Sequence, residues 1–378
     1  MRTDYQGVYV HIPFCQRKCF YCDFPSYEGL NDLLQDYVDA LCTEISNNAS
    51  CIFAPKTIFF GGGTPTVLSE EQFSQIVNVL QSKGIWYGNE QERTCEANPG
   101  TVDKNKLEHL LALGFNRLSL GVQSFSDNLL QTIGRIHNKE QAVATVKMAQ
   151  AVGWQNISVD LMYGLPGQSL EDLQASVDMA LDLGVQHISV YSLIVEEDTL
   201  LEQMLQNEEL FLPEESVEEA MYDWVNAYLP TKGYTRYEVS NYSLQGFAST
   251  HNRQYWQYLP YRGFGAAACS FDGCTRETNV CDVKEYIARV NGDLEYFEQE
   301  SIDKEVLMAE YMFMGLRMTD GLSVEDFAVR FKEDIFAIYD KQLDEHEKAG
   351  FLTVKNSKIK LTDLGMKIGN KIFLTFLP

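Results

Sequence analysis

Short apolar runs alternate with longer amphipathic stretches of helical period along the first half of the chain. Residues 8–14, 57–61, 93–98, 117–121, 157–162 and 187–193 have the length and β-rich composition of strands. Residues 32–45, 70–81, 104–113, 140–152 and 170–183 place apolar side chains on one helical face. Strands alternating with helices predict an α/β fold with a parallel sheet of βαβ units. Six units predict an incomplete (β/α)6 barrel, although a doubly wound open sheet satisfies the same periodicity. Cys15, Gly62, Glu96, Gln123 and Asp160 fall at or just past predicted strand ends. In both architectures that edge carries the ligand.

The rhythm changes after Leu193. Acidic residues crowd positions 196–219, which reads as a solvated helical face. A strand-like run over 234–242 and a Gly- and aromatic-rich stretch to Gly273 follow. From about residue 300 helices return, then two short strands around Asn356-Ser357 and a last helix. That order predicts a small α+β winged-helix-like domain. The expected division is a barrel over 1–230, a connecting region over 231–299 and the C-terminal domain over 300–378.

Charge and cysteine usage narrow the function. A formal net charge of −24 argues against a nucleic-acid partner, which selects for a basic face. Nine cysteines in a chain of 378 residues, without small-scaffold spacing, suit a reducing compartment. Residues 1–8 do not read as a targeting signal, and no apolar run is long enough to span a bilayer. A cytoplasmic protein is the expectation.

Cys15, Cys19 and Cys22 form C-x3-C-x2-C directly after the first apolar run. A structural zinc site is closed by four ligands, and a cubane cluster usually takes four cysteines. Three thiolates therefore suit a [4Fe-4S] cluster with one iron left open. Gly61-Gly62-Gly63-Thr64-Pro65 follows the second strand, where either a tight turn or a close ligand approach needs glycine. It is not a Walker loop, because no Gly-Lys-Ser/Thr follows. Glu96 and Asp160 place carboxylates at strand ends. Arg135 can grip a carboxylate bidentately or pair at the surface.

With Tyr9-Val10-His11-Ile12-Pro13-Phe14 before the cysteines, the chain resembles the radical S-adenosylmethionine (SAM) enzymes, in their coproporphyrinogen oxidase-like branch. The resemblance covers nearly the whole chain. It implies that SAM chelates the open iron and that reductive cleavage yields a 5′-deoxyadenosyl radical. It further implies that Tyr9, Gly62, Gly63, Thr64, Glu96, Gln123, Arg135 and Asp160 bind the cofactor. His251-Asn252-Arg253-Gln254-Tyr255-Trp256 resembles a motif of the HemW-type heme chaperones, in which the histidine is implicated in heme binding. The bland alternative is that His251 and Trp256 pack a linker on the barrel.

Two readings follow from that resemblance. In the oxidases a further cysteine stands two residues after the third, where this chain has Phe24. They also carry a longer amino-terminal segment. Both departures favour a heme chaperone, with cluster, SAM and heme as cofactors, over oxygen-independent oxidation of coproporphyrinogen III. The implied partners are a heme acceptor, such as a respiratory protein, and an electron donor to the cluster. A homodimer is compatible with this reading.

Overall fold

A computed structural model describes residues 4–88 and 90–378. Residues 1–3, part of the stretch read for a targeting signal, lie outside it.

The six expected strands form as β1 (Gly7–Ile12), β2 (Thr57–Gly62), β3 (Glu92–Ala97), β4 (Arg117–Gln123), β5 (Ile157–Tyr163) and β6 (His187–Ser192). They pair in parallel and in sequence order. A doubly wound sheet reverses its order at a switch point. This sheet does not, so it is the partial barrel. Helices α1 (Leu34–Asn48), α2 (Glu70–Ser82), α3 (Lys104–Leu113), α4 (Asp127–Thr132), α5 (Lys139–Val152) and α6 (Leu170–Asp182) fill the crossovers. Capping boxes start α2 at Ser69, α5 at Asn138 and α6 at Ser169.

Strand alternation separates two environments. Val8, Val10, Ile12, Ile58, Phe60, Leu118, Leu120, Val159 and Ile188 join the main core with Leu41, Ile76, Leu107, Val146 and Leu173 of the helices. The alternate positions, among them Tyr9, His11, Phe59, Glu96, Ser119, Asp160 and Tyr191, face the barrel interior. That interior is polar, and a hydrophobic core would not select such residues.

After α7 (Leu200–Gln206) and α8 (Glu215–Thr231), residues 231–299 extend the sheet at both edges. The run expected as one strand over 234–242 folds instead as β7 (Thr235–Arg236) and β8 (Asn241–Ser243), which pair antiparallel. Arg236 donates to the carbonyls of Glu238 and Val239, and the buried Glu238 carboxylate accepts from the Ser240 amide. These bonds curl the backbone between the two strands. The short helix α9 (Thr250–Trp256) precedes β9 (Tyr261–Phe264), which pairs parallel to β1. Strands β10 (Cys269–Phe271), β11 (Thr275–Asn279) and β12 (Phe297–Ser301) complete a 12-stranded sheet, with α10 (Val283–Asn291) before β12.

The C-terminal unit carries helices α11 (Lys304–Gly315), α12 (Val324–Phe331) and α13 (Ile335–Lys348). Its strands β13 (Leu322–Ser323), β14 (Leu352–Lys355) and β15 (Lys358–Leu361) form a separate sheet. Its core of Met312, Leu316, Phe327, Leu343 and Ile359 also takes in Tyr258 and Phe271 from the connecting region. The two units therefore share apolar contact. Among the described residues no helix is long and apolar enough to cross a membrane.

Candidate functional site

The carboxyl ends of the six strands open into one cleft with about 750 Å³ of empty space. Cys15, Cys19, Cys22, Gly62, Gly63, Thr64, Glu96, Gln123, Arg135 and Asp160 all line it. All three cysteines are free thiols. Burial pushes the Cys15 and Cys22 thiols up, so ligation there must displace the protons. Among the described residues no three His, Cys, Asp or Glu side chains could hold a single metal ion. Three free thiols lining one cleft suit a cluster, in which each ligates a different iron.

Hydrogen bonds link two of the cysteines. Thr64 Oγ1 donates to Cys15 Sγ at 3.6 Å, and Asn98 Nδ2 donates to Thr64 Oγ1 at 2.8 Å. Arg135 Nη2 donates to Asn98 Oδ1 at 2.6 Å and to the Gly121 carbonyl, while Nη1 donates to Cys19 Sγ at 3.2 Å. Arg135 Nε is buried without a partner. The planar fork of the guanidinium holds the β4 edge and the cysteine loop together. Asn98 completes this relay and was not singled out in the sequence.

The glycines serve the cysteine loop as well as any ligand. A Cβ at Gly63 would stand 2.6 Å from the Phe14 carbonyl and 2.9 Å from Cys15 Sγ. Gly62 has φ +109°, and a Cβ there would meet the His11 ring at 2.7 Å. His11 is buried, and its Nε2 donates to the Pro25 carbonyl at 2.9 Å. Nδ1 then accepts from the Tyr9 hydroxyl at 3.1 Å. His11 supports the loop from below, a role the sequence did not signal.

Two carboxylates face each other in the cleft. Burial, reinforced by Asp160, pushes Glu96 up to about 8; a hydrogen bond from the Gly62 backbone opposes this. Burial also raises Asp160, offset by hydrogen bonds from Ser189 and Ser119 and by the Arg117 charge. The pair thus carries a proton at neutral pH and presents an acceptor array for a cationic or hydroxylated ligand. Gln123 sits at a register shift in β4 with φ +68°, uncommon for a residue with a side chain. Its Oε1 accepts from Tyr191 at 2.9 Å. Local twist of this kind re-aims a side chain at a site.

Two expected residues are not in the cleft walls. Tyr9 lies deeper, stacked on Phe59 at 6.1 Å between ring centroids, with its hydroxyl on His11. His251 is at the opposite end of the barrel. Helix α9 covers the first residues of the strands: Thr250 and His251 amides donate to the Glu92 carboxylate, both at 2.9 Å. The ring is buried and stacks on Phe59 at 4.9 Å. Thr57 Oγ1 donates to Gln254, so Nδ1–H donates to Thr57 at 2.7 Å and Nε2 accepts from Tyr255 at 3.0 Å. Burial pushes the imidazole down to about 3. In this structure both ring nitrogens of His251, the expected heme-binding residue, are engaged by side chains.

Comparison with known proteins agrees with this architecture. Residues 9–180 match the radical SAM superfamily and residues 302–368 the HemN C-terminal domain. The solved coproporphyrinogen III oxidase (HemN) from Escherichia coli, described as a radical SAM enzyme, shares the fold. Its TM-score is 0.85 at 23% identity, covering 100% of this chain and 91% of that one. The heme chaperone HemW of Bacillus subtilis is 38% identical over 375 residues, spanning 98% of this chain and 99% of its own. HemW of Lactococcus lactis is 35% identical over 98% of this chain and 97% of its own, and that of Escherichia coli 35% over 69% of each. The chain belongs to the HemW heme chaperone family within the radical SAM superfamily.

Proposed function

We propose that the protein is a heme chaperone that holds a [4Fe-4S] cluster on Cys15, Cys19 and Cys22, binds SAM beside it, and passes heme to an acceptor protein. The observation that carries the reading is a single cleft lined by three free thiols, two glycines, Arg135 and the Glu96–Asp160 pair. When bound, the cluster supplies an open iron and a low-potential electron. The protein's own groups do the rest. Arg135 donates to Cys19 Sγ and holds the cysteine loop in place, and Glu96 offers an acceptor to the SAM ammonium. Asp160 and Gln123 suit its hydroxyls, and the Gly62–Gly63 backbone allows close approach. Tyr9 supports these groups from below through His11.

Heme enters the proposal through the chaperone relatives. Ligation by His251 would require Nε2 to release Tyr255. An acceptor protein and an electron donor are the proposed partners, in the cytoplasm. The test is anaerobic reconstitution with iron, sulfide and heme quantification, followed by hemin titration at the Soret band. One cubane and one heme per chain are expected, with no protoporphyrinogen formed from coproporphyrinogen, SAM and reductant. Absence of both cubane and heme, or decarboxylation of the substrate, refutes the proposal.

A further inference from the structure

Strand β4 ends on a strained turn. The Ser124 amide donates to the Val122 carbonyl at 2.9 Å, and Gln123 between them has φ +68°. That is the γ-turn of positive φ, which is rare and costly to hold for a residue with a side chain. The pairing of β4 with β5 shifts register at the same point, between Gly121 and Gln123. The turn puts Gln123 on the cleft wall, its Oε1 accepting from Tyr191. Such a backbone persists only where its surroundings over-determine it. After the turn, the Ser176 hydroxyl accepts from the Phe125 amide and the Ser124 hydroxyl from the Ser126 amide, both at 3.1 Å. Before it stand Gly121 and Val122, and the carbonyls of both are held by the segment between α4 and α5.

That segment also grips the cysteine loop. The Ile133 carbonyl accepts from the Phe20 amide at 3.1 Å, and Arg135 donates to Cys19 as well as to the Gly121 carbonyl. His137 Nε2 donates at 3.1 Å to the Val122 carbonyl, the same acceptor that closes the γ-turn. His137 is buried, and its Nδ1 has no hydrogen-bond partner among the described residues. Burial, reinforced by the Arg135 charge, pushes the imidazole down to about 4, so the ring is neutral and Nε2 carries its one proton. The other buried imidazoles engage both nitrogens: His11 with Tyr9 and Pro25, His187 with Ser158 and Tyr237, His251 with Thr57 and Tyr255. His137 instead leaves one nitrogen unpaired in order to hold one carbonyl. An unpaired buried acceptor is unfavourable, so filling space does not account for this ring.

We propose that His137 is a positioning residue for the cofactor site: its bond to the Val122 carbonyl keeps the γ-turn closed and Gln123 aimed at the hydroxyls of SAM. The inference rests on the SAM reading above and extends it to a residue that does not itself line the cleft. Without the bond, Gln123 can relax to negative φ, which turns its side chain away from its present aim. Arg135 and His137, two residues apart, hold adjacent carbonyls of one strand end. The segment that carries them thereby sets Gln123 and the cysteine loop in one register.

The test compares His137→Gln with His137→Asn. The glutamine amide can reach the Val122 carbonyl; the asparagine amide, one methylene shorter, cannot. In cofactor-free protein, hydrogen exchange in peptides spanning residues 121–126 should quicken about tenfold in His137→Asn and keep the wild-type rate in His137→Gln. In cluster-reconstituted protein, SAM affinity by calorimetry should fall about tenfold in His137→Asn and stay near wild type in His137→Gln. Gln123→Ala should lose about as much, and Gln123→Ala/His137→Asn should bind no more weakly than Gln123→Ala alone, because both act through one contact. Wild-type exchange or wild-type SAM affinity in His137→Asn overturns the proposal and leaves the SAM reading standing. Equal losses in both His137 variants, misfolding of both, or a double variant in which the two single losses multiply does the same. Failure of the wild type to bind SAM removes that reading and the positioning role with it.

Discussion

Replacing Glu96 by Gln should stabilise the cluster-free protein in alkaline solution. Burial and the nearby Asp160 raise the Glu96 carboxyl from an ordinary 4.5 to about 8. The folded chain therefore holds this proton more tightly than the unfolded chain. Below about pH 4.5 both states are protonated and the residue costs nothing. Between 4.5 and 8 the unfolded state is ionised while the folded state keeps its proton, so stability falls as pH rises. Above 8 the cost is constant. At about 1.4 kcal/mol per pH unit the span amounts to about 5 kcal/mol. Glu96 is half-buried in an open cleft, and solvent screening brings the expected gain to about 2 kcal/mol. Glutamine keeps the volume and can still accept from the Gly62 amide. The thermal midpoint of Glu96→Gln should exceed wild type by roughly 2–4 °C at pH 9 and match it at pH 4.5. An equal change at both pH values, or a loss at pH 9, would refute the electrostatic account. The same variant should bind SAM more weakly, since stability is gained where a ligand contact is lost.

Other expectations test other parts of the site. Cys15→Ala, Cys19→Ala and Cys22→Ala should each abolish the visible absorbance of the cubane after anaerobic reconstitution, whereas Cys42→Ala, Cys95→Ala, Cys269→Ala and Cys281→Ala should retain it. Arg135→Lys keeps the charge but loses the fork between Asn98 and Cys19. SAM affinity by calorimetry should fall about tenfold, or about 1.4 kcal/mol. Glu44→Ala removes the acceptor of the Gly265 amide, Asn279 and Tyr286 in a fully buried network. Denaturant unfolding should show a loss of about 3 kcal/mol.

The barrel was legible because its period-2 pattern is strict. Val8, Val10 and Ile12 on β1 and Leu118 and Leu120 on β4 mark the helix-facing side, and polar residues between them mark the interior. The strand-end positions of Glu96 and Asp160 followed from the same count. Asn98 and His11 were not legible. Their roles depend on groups more than ten residues away, the Arg135 guanidinium and the Pro25 carbonyl, and nothing in local spacing encodes that reach. The β7–β8 interruption was hidden for a related reason. Tyr234–Tyr242 has strand propensity, but the Arg236 guanidinium competes for backbone carbonyls and wins. Phe24 was noticed as the residue standing where the oxidases have a cysteine. That it is exposed at the cleft mouth emerged only in three dimensions.

The motif at 251–256 has a physical explanation that does not involve heme. Helix α9 lies between the amino-terminal end of the barrel and the C-terminal unit. On its barrel side, His251 joins Thr57 and Tyr255, and Glu92 caps the helix. On its other side, Arg317 lies over both Trp256 and Phe373, and Tyr258 donates to Glu310 at 2.5 Å. A ligand approaching His251 must release the Tyr255 bond and open this packed layer. Tyr255→Phe separates the possibilities. It should lower stability by about 1 kcal/mol through the lost hydrogen bond. If His251 ligates heme, freeing Nε2 should also strengthen hemin binding. If the helix only closes the barrel and fastens the C-terminal unit to it, hemin binding should be unchanged. The burial of His251 and the engagement of both its ring nitrogens favour the second outcome.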